Sequence, residues 1–143
     1  MTPYMLKKGF LWGYGNGSID DSNRILVDRY FVTILKEKGC DSIFCFPTSE
    51  SFKLILCPPM FHSHYHKFLM QNKQHDYTDE MWETLFFKSG RKTPIERNGR
   101  CNISFIINDF SCHLTGRIQY VGQGLWLEAW DQREWNNRFP VRL

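Results

Sequence analysis

Two short stretches carry the same pair of chemistry-bearing residues at the same distance. Asp20 stands four residues before Arg24 in Asp20-Asp21-Ser22-Asn23-Arg24, and Glu96 stands four before Arg100 in Glu96-Arg97-Asn98-Gly99-Arg100. Across a tight turn this spacing lets a carboxylate hold turn amides or the guanidinium and so fix the loop. The arginine then offers its planar fork of donors to a phosphate or a guanine edge. The bland alternative is a surface turn with a local ion pair worth under about 1 kcal/mol. A second cluster, His62, His64 and His66 with His75 nearby, invites metal chemistry. On a helix only His62 and His66 share a face and no carboxylate accompanies them in sequence, so a solvated helix face is expected and no metal. Cys40, Cys45, Cys57, Cys101 and Cys112 are odd in number and lack a Cys-x-x-Cys pair, which makes them small buried apolar residues rather than disulfides or zinc ligands. Asp76, Asp79, Glu80 and Glu83 lie together without a nucleophile, a phosphate-cradling glycine loop or a metal motif. Neither an enzyme nor a cofactor is expected.

These residues need elements to position them. The run Gly13–Arg24, rich in Gly, Asn, Asp and Ser, should contain a tight reversal or loop. A short β run, Ile25 to Val27, should pass into an amphipathic helix that turns Tyr30, Phe31, Ile34 and Leu35 inward and stops at Gly39. SIFCFP and SFKLILCP read as two strands joined by a polar turn, and Pro58-Pro59 open a helix reaching about Asn72. Asp76 to Lys88 reads as a second amphipathic helix, with Thr78 as N-cap and Met81, Trp82, Leu85 and Phe86 as its apolar stripe. SGRKTPIERNGR reads as a turn. The order then repeats: a short β run with a helix-like segment (CNISFIINDFSCHL), the strands RIQYVGQ and LWLEAWD, and a final helix from QREWNNRF. At an offset of 76, Ile19 falls on Ile95, Asp20 on Glu96, Asn23 on Gly99, Arg24 on Arg100 and Val27 on Ile103, while Leu54 falls near Leu127 and Pro58 near Asp131. One motif is written twice.

Composition bounds the function. A chain of 143 residues, 42% hydrophobic and 16% aromatic, holds one folded domain or two half-size units sharing a core. The aromatics Trp82, Phe86, Phe87, Trp126, Trp130 and Trp135 are expected in core and interfaces. No apolar run approaches the roughly 18 residues that span a bilayer, and the start MTPYMLKKGFLWG lacks an export signal, so a cytoplasmic protein away from membranes is expected. A net charge of +3 permits nucleic-acid binding but gives each chain few contacts, so that affinity would come from several chains acting together.

The string Val121–Trp135 (VGQGLWLEAWDQREW) resembles the end of MraZ proteins, which close on a VGQ strand, a turn, and a strand ending E-x-W-D before an aromatic. Those positions here are Val121, Gly122, Gln123, Glu128, Trp130, Asp131 and Trp135. Phe10 and Gly13 precede Asp20 at the family's spacing, followed by Arg24, the helix, and a strand ending at Pro58, so the resemblance covers Phe10 to Trp135. It implies an α+β fold in which two tandem, pseudo-symmetric AbrB-like swapped-hairpin units form a shared β-barrel with peripheral helices. Residues 1–9, with Lys7 and Lys8, would be an N-terminal extension, 10–75 the first unit with its helix, and 76–143 a connecting helix and the second unit.

The resemblance further implies a transcription regulator that assembles as a ring-shaped homo-oligomer. Its partner would be double-stranded DNA at repeated promoter sites, including that of the cell-division and cell-wall cluster, and its location the nucleoid. Arg24, Arg100, Arg97, Asn23 and Asn98 would contact DNA, and Asp20 and Glu96 would organise the loops. The family usually has Lys-Gly before the arginine and proline four residues after it. Here the first turn has Ser22-Asn23 and Asp28, the second Asn98-Gly99 and Ser104. Loss of lysine and gain of Asp21 and Asp28 weaken attraction to phosphate at the first turn. The second, with Arg91, Lys92, Arg97 and Arg100, reads as the stronger half. The competing expectation is a protein-interaction module, antitoxin-like or an immunity protein, that keeps the fold without contacting DNA.

Overall fold

The computed structural model describes residues 9–110 and 112–140; Lys7 and Lys8 lie outside them. The elements run β1 Leu11–Ile19, β2 Arg24–Leu26, α1 Arg29–Glu37, β3 Ser42–Pro47, β4 Lys53–Cys57, α2 His62–Gln71, α3 Asp79–Glu83, β5 Arg91–Pro94, β6 Arg100–Asn102, α4 Ser104–Asp109, β7 Arg117–Gly124, β8 Leu127–Asp131 and α5 Gln132–Arg138. All eight strands join one antiparallel sheet in the order β5-β3-β4-β8-β7-β1-β2-β6. The turn between β5 and β6 links its two edges, with Glu96 N donating to Arg100 O at 2.8 Å, and the sheet nearly closes into a barrel. Among the described residues no helix is long and apolar enough to cross a membrane.

Alternation along the strands divides the apolar residues between two cores. On β4, Leu54 and Leu56 face the interior of the curved sheet, where Ile25, Phe31, Leu35, Ile43, Cys101, Ile106, Ile118 and Tyr120 also pack. Ile55 and Cys57 face the other way, onto Phe61, Tyr65, Trp82, Phe86 and Trp126 beneath α2 and α3. Of the aromatics expected in core and interfaces, Trp82, Phe86, Trp126 and Trp130 are buried, while Phe87 and Trp135 are half-buried. All five cysteines are buried free thiols.

The Gly13–Arg24 run contains its expected reversal at Asp20–Asn23, and its earlier residues belong to β1, which extends to Ile19. Gly15 and Gly17 serve close packing, since a Cβ on Gly17 would collide with Leu26 O and the Tyr120 ring, whereas Gly13 has open space and a positive φ of 89°. Other expectations need correcting. The segment read as a turn before Arg100 contains β5, which pairs with β3 in the register Ser42↔Pro94 to Cys45↔Arg91. Its four residues are polar apart from Pro94, so alternation was invisible. On α1 it is Val32, not Tyr30, that joins Phe31 and Leu35 inside; Tyr30 is exposed. Thr78 caps α3, its hydroxyl accepting from Met81 N, and the helix continues as a π turn over Thr84–Lys88. Only Trp82 and Phe86 of its expected stripe are buried, while Met81 and Leu85 face solvent.

The histidines do not form a solvated face. His62 packs against Phe44 and Phe87, with ring centroids 4.3 and 4.7 Å away, and His66 Nε2 lies 2.6 Å from Glu83 Oε2 on α3. The carboxylate absent from the local sequence arrives from the next helix. It ties α2 to α3 beside the bond from Trp82 Nε1 to Leu69 O. The hydrogen bond from His66, with help from Lys88, holds the Glu83 carboxyl below its ordinary range, and burial beside Phe44 and Phe87 lowers His62.

Candidate nucleic-acid interface

The two acid-to-arginine turns sit at the ends of β2 and β6, and these strands pair antiparallel in the register Arg24↔Asn102, Ile25↔Cys101, Leu26↔Arg100. Each strand bonds to the other's turn in the same way: Val27 N donates to Gly99 O at 3.1 Å and Ile103 N to Asn23 O at 2.9 Å. Donors 27 and 103, and acceptors 23 and 99, are each 76 apart. The same offset relates the turn closures, Asp20 N to Arg24 O and Glu96 N to Arg100 O, and Asn23 N to Asp20 O and Gly99 N to Glu96 O. It also relates the residues in the left-handed region, Asn23 at φ 57° and Gly99 at φ 85°. Asparagine is among the few side chains that tolerate this conformation, which explains why it stands where the other turn has glycine.

This pairing brings Asp20, Arg24, Glu96 and Arg100 into one cluster. Arg24 Nε lies 3.2 Å from Asp20 Oδ2, Arg24 Nη1 3.4 Å from Glu96 Oε1, and Arg100 Nε 3.7 Å from Asp20 Oδ2. Asp20 therefore receives both arginines, and Arg24 bridges both acids. All four side chains are between 31% and 40% exposed, so the cluster is reachable from solvent while partly satisfied internally. Asp20 also organises its own turn, Oδ1 accepting from Ser22 N at 2.9 Å and Arg24 N at 3.0 Å. The Arg24 amide, above other causes, holds the Asp20 carboxyl below its ordinary range. In the second turn Asn98 Oδ1 does the amide-holding, accepting from Arg100 N at 3.1 Å, and the longer Glu96 side chain reaches across to Arg24.

Arg97 and Asn98 are exposed at the tip of the second turn, as are Arg91 and Lys92 on β5. At the first tip the exposed residues are Asp21 and Ser22, with Asn23 half-buried. Asp28, which in sequence looked like a charge opposed to phosphate, has both oxygens committed to backbone: Oδ1 accepts from Tyr30 N and Oδ2 from Asn16 N, each at 2.8 Å. It is the N-cap of α1 and ties that helix to β1; an aspartate immediately before the helical run was the available signal.

Sequence reasoning missed the groove beside this cluster, a space of about 550 Å³ between α1 and the second turn, whose walls include Arg29, Lys36 and Arg97. Lys36 was read only as part of a helix, and its nearness to Arg97 depends on the β2–β6 pairing. Among the described residues no group of three or more His, Cys, Asp or Glu is placed to hold a metal ion. Neither a family model nor a curated protein matches the chain.

Proposed function

We propose that this chain is a sequence-specific DNA-binding transcription regulator of the MraZ type. In this reading residues 10–75 and 76–143 are two tandem AbrB-like swapped-hairpin units, and the chain assembles as a ring on repeated promoter sites of the cell-division and cell-wall cluster, at the nucleoid. One observation carries it: the β2–β6 pairing gathers two acid-to-arginine turns onto one surface, with Arg97 and Asn98 exposed beside them. Two loops set side by side with fixed backbones suit readout of a groove edge and the flanking phosphates by Arg24, Arg100, Arg97, Asn23 and Asn98. The modest charge of +3 makes single-chain affinity low, and a ring that engages adjacent repeats supplies the rest.

A second reading rests on the internal pairing of Arg24 with two carboxylates, which lowers its attraction for phosphate. In it the same fold is a protein-interaction module without DNA contact. A gel-shift titration separates the two, using a promoter fragment from the chain's own gene neighbourhood, a scrambled duplex of equal length, and two salt concentrations. Preferential, stepwise, salt-weakened retardation supports the regulator; equal or absent binding to both duplexes supports the interaction module. Arg100→Ala should lower DNA affinity with oligomer size and Tm unchanged, and dissociation of the oligomer would make Arg100 a structural residue instead.

A further inference from the structure

The groove between α1 and the second turn joins an apolar floor to a basic rim. Its floor is apolar, with Val27 and Val32 buried and Leu26 half-buried, and its rim carries three exposed cations: Arg29 and Lys36, seven residues and so two turns apart on α1, and Arg97 from the turn tip. Asp28 is the one acid among the lining residues, and both of its oxygens already accept backbone N–H groups. The walls thus set three cations against one carboxylate whose oxygens are already occupied, which leaves a net positive rim. Lys36 Nζ donates to Arg97 O at 3.3 Å, which ties the helix to the turn and holds the rim cations on opposite sides of one opening. The space of about 550 Å³ lies within the range of small-molecule sites and far exceeds what a bare ion needs.

At the offset of 76 the three cations have no counterparts. The positions matching Arg97, Arg29 and Lys36 are Asp21, Phe105 and Cys112, an acid, an aromatic and a buried thiol. The backbone relation between the halves is kept at the turns, and the three cations are not. They come from both copies, Arg29 and Lys36 from the first and Arg97 from the second, and meet only in this groove.

We infer that this groove binds a phosphate group carried on a body with an apolar face, with Arg29, Lys36 and Arg97 on the phosphate and Val32 under the body. A ligand held there touches the Asn98-Gly99 backbone and would set the posture of the second turn, so for its regulatory meaning the inference rests on the DNA-binding reading, though occupancy of the groove does not. The phosphate has two sources of the same chemistry, a free nucleotide or the backbone of bound DNA.

The test is titration calorimetry on the full chain with AMP and inorganic pyrophosphate as probes, and separately with a 20-base-pair duplex, for wild type, Arg29→Ala, Lys36→Ala, Lys36→Arg and, as a control on α2 outside the groove, Lys67→Ala. The expected result is saturable binding of one AMP per chain that weakens with salt. It should fall at least tenfold in Arg29→Ala and Lys36→Ala, be largely retained in Lys36→Arg, and be unchanged in Lys67→Ala, with Tm within a degree of wild type in Arg29→Ala and Lys67→Ala, whose altered side chains are exposed. If neither free probe binds but Arg29→Ala and Lys36→Ala lower duplex affinity, the phosphate is that of DNA. If AMP binds and no duplex does, the groove stands and the regulator reading falls. Binding of neither probes nor duplex, or binding indifferent to both alanine variants, overturns the inference.

Discussion

The first and second turns share a backbone and differ in how they are held and charged. The first is built by its acid: Asp20 caps two amides, takes two guanidinium groups, and leaves Asp21 at the tip. The second is built by Asn98 and glycine, lends its acid to the opposite turn, and exposes Arg97. Similar loop shapes thus arise from different side chains, because the backbone hydrogen bonds between β2, β6 and the two turns fix the shape first. The side chains are then free to carry different charge.

Exchanging residues between the halves breaks that comparison most sharply where one half has no room. Gly17 corresponds at the same offset to Thr93, which is buried without difficulty on β5. Gly17→Thr would drive a side chain into Leu26 O and Tyr120 and should cost about 3 kcal/mol or more, measured by urea unfolding. A cost under about 1 kcal/mol would show that the two strands are interchangeable after all.

At the turn tips the expected effects are smaller. Gly99→Ala should lose about 1–2 kcal/mol, because alanine pays for positive φ and its Cβ would sit 3.2 Å from Val32 Cγ2. Gly99→Asn should lose less, and Asn23→Gly should be neutral or slightly stabilising, both read by the same unfolding curves. Equal losses for Gly99→Ala and Gly99→Asn would mean that the left-handed backbone is not what distinguishes these positions.

Acid separates the turns by another route. The Asp20 carboxyl is held low in the folded chain, chiefly by the Arg24 amide, so its stabilising contribution is complete above the ordinary carboxylate range and is lost as pH falls through the lowered value. The Tm of the wild type should fall on acidification below about pH 4. Asp20→Asn should start lower at neutral pH and show a shallower acid decline. Parallel declines in the two proteins would remove Asp20 from the account. The finest change is at the tips, where Asp21→Arg copies the charge of Arg97. On the DNA-binding reading it should steepen the dependence of log affinity on log salt by about one unit.

Much of the element order was legible because apolar alternation and turn residues marked it: SIFCFP, FKLILC, RIQYVGQ and LWLEAWD all became strands. β1 was obscured by glycines that read as turn formers but serve close approach, and β5 by a sequence of Arg, Lys, Thr and Pro with no apolar face. The residues of both turns were legible from their spacing. Their convergence was not, since it depends on a strand pair whose members are more than seventy residues apart. The same holds for His66 and Glu83, and for Lys36 and Arg97. Local sequence names the groups, and long-range pairing decides which of them meet.

The strand order has a consequence for how the chain is made. β1 lies between β2 and β7, and β4 between β3 and β8, so the N-terminal strands have exposed edges until Asp131 has been synthesised. Contacts this distant in sequence slow folding, and unpaired edges invite adhesion to other chains. During translation the emerging N-terminal half would therefore be a client for chaperones, and a ribosome stalled before β7 would leave a fragment fit for proteolysis rather than a working half.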